Sequence, residues 1–297
     1  MPLSHLLLCL SIAATLLPVR APWPWFSLLI MAVTAGLLHG QLTVAAMVPV
    51  AAMAALAWMA LAARHRPRRE AVLMLLMLVV GLALALHVLP GFQNPTFLVA
   101  ASDLRPPSPK YLNFDKGVAG MLMLAVLMQR QRRRPDGAFG DARGGAPAPV
   151  PSPGLPWVAL PAAIVATLAL PWLLAVAGGV GVPALRWPDN AALFLSANLL
   201  LTCVAEEAAF RGVIQGLLAR RLGTDLRTWR GWLPVLVAAV LFGLAHAAGG
   251  PAYVALATLA GVGYGLVYAL SGRIEAAIGI HFALNALVFL TLNTRVG

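Results

Sequence analysis

The stretch LFLSANLLLTCVAEEAAFRGVIQG, residues 193–216, decides how this chain folds. A helix needs about 20 apolar residues to cross a bilayer, and this stretch is long and apolar enough, yet its middle carries Glu206, Glu207 and Arg211. A carboxylate at the bilayer centre costs about 2.5–3.5 kcal/mol on insertion scales, so an ionisable group in that position points to function. Glu207 and Arg211 stand four residues apart with the acid N-terminal, the better order for a helical ion pair. Glu206 points about 100° away from that pair. The spacing therefore predicts a neutralised, structural Glu207 and a Glu206 without a counter-charge on its own helix, facing another helix or a water pocket. A desolvated glutamate of that kind is suited to general-base work near neutral pH.

Outward from this stretch, the rest of the 297 residues are similar: 61% hydrophobic and only 10% charged, against about 45–50% and about 25% in soluble domains. Apolar runs recur at 3–19, 25–38, 42–63, 71–89, 118–128, 157–177, 191–218, 232–247, 252–270 and 274–292. They predict an all-α integral membrane protein, a polytopic helical bundle of about ten transmembrane helices, within a range of eight to ten. The second and fifth runs are short for a span, which implies tilt, re-entry or extension into their flanks. No basic segment precedes the first run, so it is expected to be a transmembrane helix rather than a cleaved signal. Cys9 and Cys203 fall inside apolar runs and say nothing of the redox compartment.

The net charge of +11 comes from nineteen arginines and two lysines against ten acids. In a soluble protein that balance would suggest nucleic acid. Here the arginines cluster in short gaps between apolar runs, without interleaved aromatics, which is the pattern of cytoplasmic anchoring. Arg20, the group around Arg64 to Arg69, the group from Arg130 to Arg143, the group from Arg220 to Arg230, and Arg273 all fall in alternate gaps. Such alternation predicts both termini outside the cytoplasm, and no nucleic-acid partner. Between residues 135 and 156 the composition turns to Pro, Gly and Ala (GGAPAPVPSPGLP), which cannot maintain a helix and buries little. This divides the chain into an N-terminal transmembrane region at 1–134 of about five spans, a cytoplasmic linker at 135–156 and a C-terminal membrane domain at 157–297. No internal repeat relates the halves, so the inverted-repeat transporter pattern is not evident.

Two further runs of the C-terminal half carry polar groups at helical spacing: Phe242 with His246 (FGLAH), and His281 with Asn285 (HFALN). Residues four apart share a helix face. Three apolar segments with stranded polar groups, each with its own insertion cost, are most economically explained by one shared site. A glutamate, two histidines and an asparagine suit hydrolysis of an acyl bond by activated water. In that reading Glu206 removes the water proton, His246 positions or polarises the water, and His281 and Asn285 donate to the developing oxyanion. Ser196, Ser271 and Cys203 lack an Asp/His pair to activate them. Glu206, His246 and His281 also form the two-His-one-carboxylate set of a catalytic zinc site. No HExxH is present, so metal-free catalysis is preferred and a divalent metal such as zinc stays open.

At these residues the C-terminal half resembles the intramembrane CAAX prenyl endopeptidase and bacteriocin-processing family, also called the ABI family or type II CAAX proteases. Glu206, Glu207 and Arg211 fit its EExxxR, Phe242 and His246 its FxxxH, and His281 and Asn285 its HxxxN, in the family's order. The resemblance covers roughly 157–292. It implies a helical membrane fold, a glutamate-type endopeptidase and the roles given above, with Glu207, Arg211 and Phe242 in support. It further implies a multi-pass protein of a bacterial cell (inner) membrane whose partner is a membrane-associated peptide or protein; a prenylated substrate is not implied. In the N-terminal half, HVLPGFQNP (87–95) followed by YLNFDKG (111–117) is similar to a loop of some bacterial members with extra N-terminal spans. Its plainer reading is an ordered extracytoplasmic loop with Pro-Gly turn chemistry. Against the peptidase stand two other function classes. One is a non-enzymatic immunity or scaffold protein held together by interhelical hydrogen bonds, the other a proton-coupled transporter using buried Glu and His as a relay.

Overall fold

The computed structural model describes residues 1–18, 21–63, 65–99, 108–132 and 158–294. The expected linker at 135–156 lies outside the described residues. Among those described, five helices are long and apolar enough to cross a membrane: Val44–Ala62, Ala159–Ala177, Ala191–Leu222, Pro251–Ser271 and Ile274–Thr291. Leu3–Leu16, Trp23–Leu38 and Trp229–Leu244 are shorter apolar helices. Pro67–Ala85 and Phe114–Arg132 coincide with the fourth and fifth expected spans. Short strands occur only between or after helices.

The chain forms two compact units. The first comprises Met1–Phe97, Pro109–Ala146 and Ser196–Ala209. Its centre is the Phe114–Arg132 helix, which packs against Leu3–Leu16, Met47–Ala62, Pro67–Ala85 and Val204–Glu207. The 118–128 run underestimates this helix, which extends four residues further at each end. Asp115 in its first turn and Arg130 and Arg132 in its last complement the helix dipole. Near the C-terminal end, Arg130 forms an ion pair with Glu70, which is 2% exposed. Close approach depends on glycine: a Cβ at Gly117 would meet Leu201 at 2.8 Å, and one at Gly120 would meet Ala205 Cα at 2.5 Å. That seam is why Ser196–Ala209 groups with N-terminal helices although it lies beyond the linker in sequence.

The second unit comprises Leu98–Ser108, Pro147–Leu195 and Phe210–Gly297. Here Pro251–Ser271 is central and contacts Ala159–Ala177, Trp229–Leu244 and Ile274–Thr291. Glycines again set the spacing, since a Cβ at Gly261 would meet Ala239, and one at Gly263 would meet Thr167 Oγ1 at 2.3 Å. Gly272, at φ 67°, closes the helix in the left-handed region, which glycine enters without steric cost. The Ile274–Thr291 helix gives way to strand Leu292–Thr294, paired antiparallel with Gly181–Pro183. In both units large apolar side chains remain outside: Trp58 is 75% exposed in the first, Val165 65% and Leu244 55% in the second. Apolar exteriors of this extent suit hydrocarbon rather than water.

Candidate active site

The Ala191–Leu222 helix is not a regular α-helix around its charged residues. The α-helical turn Val204–Glu207 is flanked by π-helical stretches at Asn198–Cys203 and Ala208–Gln215. Wide π turns inside helices concentrate at functional sites, because they displace side chains from the α-helical rows.

In the first unit, Glu206 is half-buried and Glu207 fully buried. Glu206 Oε1 accepts a hydrogen bond from Lys116 Nζ at 2.6 Å. This partner is a lysine ninety residues away on the Phe114–Arg132 helix, which the spacing within the Glu206 helix does not reveal. Lys116 follows Asp115, whose side chain is 2% exposed. Asp115 Oδ2 accepts from His87 Nδ1 at 2.7 Å, and its Oδ1 accepts from Asn94 Nδ2 at 3.1 Å and from the Lys116 backbone N–H at 2.8 Å. Asn94 Oδ1 in turn accepts from the Phe114 N–H at 2.8 Å. The 87–95 loop is thus an ordered polar clasp on the helix start, further secured where Gly91 O accepts from Thr43 N–H and Gln41 O from Gln93 N–H.

In the second unit Arg211, His246 and His281 meet around Phe242, which is 3% exposed. The Arg211 guanidinium carbon lies 4.8 Å from its ring centroid and 5.2 Å from that of Tyr264. Arg211 is fully buried and its Nη2 donates to Gly261 O at 2.8 Å. One turn on, Gln215 Nε2 donates to Gly265 O at 2.9 Å, so the same two helices are stitched twice. The His246 ring lies 4.7 Å from Phe242, and the His281 ring meets Phe242 edge-on at 5.5 Å. His281 also stacks on Tyr264 at 4.5 Å with an interplanar angle of 16°. The expected span 232–247 overshoots its C-terminus, because the helix stops at Leu244. His246 nevertheless stays in register by donating from Nδ1 to Phe242 O at 2.8 Å. In the neutral imidazole this leaves Nε2 as an acceptor. Tyr253 closes on the other side, 5.6 Å from the His246 ring. Asn285 lies one turn beyond His281 on the Ile274–Thr291 helix and is half-buried.

Residues 188–287 match the model of the Rce1-like family, described as type II CAAX prenyl endopeptidase Rce1-like. Over this stretch the chain is similar to type II CAAX proteases. No curated protein and no solved structure matches the chain. The matched span holds every motif residue: Glu206, Glu207, Arg211, Phe242, His246, His281 and Asn285. The match together with the apolar helices points to a multi-pass membrane protein.

Of the motif residues, the structure brings Arg211, Phe242, His246 and His281 together in the second unit, while Glu206 and Glu207 belong to the first. Among the described residues no three His, Cys, Asp or Glu side chains are gathered within either unit to hold a metal ion. Tyr264, Tyr253 and Lys116 escaped the sequence reading. A tyrosine in an apolar run reads as packing, although the flanking glycines of GVGYG mark close helix contact. Lys116 reads as a charge in a gap, and only its place in YLNFDKG hinted at more.

Proposed function

We propose that the chain is an intramembrane endopeptidase that hydrolyses a peptide bond of a membrane-associated peptide or protein with glutamate-activated water. The carrying observation is the family match over residues 188–287, which encloses all three motifs in order. On this reading residues 157–297 are the catalytic membrane domain, 1–134 an N-terminal transmembrane region and 135–156 a cytoplasmic linker, in a bacterial cell membrane.

Glu206 takes a proton from water, and the hydroxide adds to the scissile carbonyl. His281 and Asn285 donate hydrogen bonds to the oxyanion, where preorganised donors in a low dielectric are most effective. Collapse of the tetrahedral intermediate breaks the C–N bond as the protonated Glu206 returns its proton to the leaving amine. His246 supports this assignment chemically: with Nδ1 committed to Phe242 O, its Nε2 lone pair is left to orient the water. Arg211, spread over the Phe242 and Tyr264 rings, holds the aromatic wall on which both imidazoles rest. Aromatic stacking fixes the plane of His281, so its donor direction is set before substrate arrives.

The test is cleavage of a panel of quenched-fluorescent apolar peptides by detergent-purified protein. Glu206→Gln should abolish cleavage without loss of folded yield, and 1,10-phenanthroline should leave the native rate unchanged. Cleavage retained in Glu206→Gln removes Glu206 as the base. A collapse of folded yield in that variant would instead favour a scaffold role for the polar cluster.

A further inference from the structure

We infer that Lys116 is a positioning residue for Glu206, and that the 87–95 loop exists to hold it there. The inference rests on the reading of Glu206 as the base and extends the functional machinery into the N-terminal half, outside the matched residues 188–287.

Lys116 is one of two lysines in a chain with nineteen arginines. The distinction is chemical. A guanidinium meets a carboxylate with a two-pronged fork and occupies both oxygens, whereas an ammonium is a point charge that engages one. Lys116 Nζ donates to Glu206 Oε1 at 2.6 Å. The ammonium therefore orients the carboxylate and offsets its charge through a single oxygen.

Two independent features fix the root of that lysine. Asp115, one residue before it, is locked by His87, Asn94 and the Lys116 backbone N–H, and Asn94 also caps the first turn through the Phe114 N–H. His87 adopts φ 57° to reach Asp115, a left-handed conformation that costs a non-glycine residue energy and marks a backbone held by its surroundings. Further along the same helix, Gly120 lets the backbone approach Ala205, the residue before Glu206. Cap and glycine seam both converge on one quantity, the separation of Lys116 and Glu206. Among the described residues, the charged or titratable groups near this pair include Glu207 on the Glu206 helix, Asp115 and His87 next to Lys116, and His5, whose ring packs against Phe114.

The test uses dicyclohexylcarbodiimide, which modifies protonated carboxyls in apolar surroundings. The full-length protein in detergent is labelled across a pH series, and the Glu206 adduct is quantified by mass spectrometry with Glu206→Gln as the blank. In Lys116→Met the adduct should persist to a pH about one to three units higher than in the native chain, the range expected for loss of an adjacent opposite charge. Lys116→Arg, which restores the charge, should return the profile toward native. Asn94→Ala, which loosens the cap and keeps both ions, should move it in the same direction as Lys116→Met but less. Where a cleavable peptide is in hand, Lys116→Met should lower kcat about 10²-fold with KM unchanged, the penalty of a misplaced reacting group. Labelling profiles of Lys116→Met and Asn94→Ala that both overlie the native one overturn the inference. A shifted profile in a protein that cleaves nothing supports the pairing and sinks only the peptidase reading, so the two failures are separable.

Discussion

Replacing Gly120 by alanine adds a single carbon at a close backbone approach between two helices of the first unit. That Cβ would sit 2.5 Å from both Ala205 Cα and Ala205 Cβ and 2.9 Å from Ala205 N. Carbon atoms pack at about 3.5–4.0 Å, so the two segments must separate by roughly 1 Å. Overpacking of this kind costs about 1–3 kcal/mol, and the better helix propensity of alanine returns at most about 1 kcal/mol. A melting temperature lower by about 2–6 °C follows. The functional cost should be larger, because Lys116 and Glu206 flank this contact at 2.6 Å and an added 1 Å takes them past hydrogen-bond range. A reacting group misplaced by about 1 Å loses about 10²-fold in rate. Melting can be followed in detergent with a thiol-reactive dye, since Cys9 and Cys203 are both buried thiols outside any disulfide. Adding Ala205→Gly removes the Cβ contact but not those to Cα and N, so it should rescue only part of the loss. Gly279→Ala is the control: nothing lies within 4 Å of its added Cβ, and the helix should be unchanged or slightly firmer. Native melting and native cleavage in Gly120→Ala would refute the reasoning from close approach.

Three further outcomes are expected. Asn285→Ala should slow peptide cleavage about 10²–10³-fold, as loss of one oxyanion donor does, with melting unchanged; an unaffected rate removes it from the site. Phe242→Ala takes away the ring shared by Arg211, His246 and His281 and should cost about 2–3 kcal/mol, below the usual 3–5 kcal/mol of a soluble core, because lipid is as apolar as the ring's native surroundings. A melting temperature equal to that of the native chain argues against the cluster. In the exposed loop after Leu222, hydrogen bonds from Arg227 hold the Asp225 carboxyl below its ordinary range. A lowered carboxyl contributes stability above its unfolded value and loses it as pH falls through the folded one. Asp225→Asn should therefore melt slightly lower at neutral pH and equally with the native chain once the carboxyl is protonated.

Hydropathy located the helices because insertion into lipid is a sum of local terms. The same locality explains its errors. Residues 114–117 and 129–132 were read as gaps because they carry Asp115, Lys116, Arg130 and Arg132, yet charges of the right sign belong at helix ends. Residues 245–247 extend the expected span because Ala245 and Ala247 continue its apolar character, whereas the helix ends at Leu244 and a 3-10 turn follows at Ala247–Gly249. The same limit applies to the site. EExxxR, FxxxH and HxxxN announce themselves through spacing within one helix, and the structure gathers Arg211, Phe242, His246 and His281 accordingly. No periodicity connects Lys116 to Glu206, or Tyr264 to His281, because these contacts join segments that the chain brings together only after folding.

The glycines were the signal that could have been followed across that distance. Gly117 and Gly120 lie on one face of the Phe114–Arg132 helix, and Gly261 and Gly265 on one face of Pro251–Ser271. In a bilayer, where apolar side chains gain little by leaving lipid, close packing through small residues is what brings helices together. A seam of small residues beside an unpaired charge therefore marks where a partner must arrive. For Glu206 that seam predicts an approach near enough for a side chain four residues before Gly120 to reach the carboxylate, and Lys116 occupies that position.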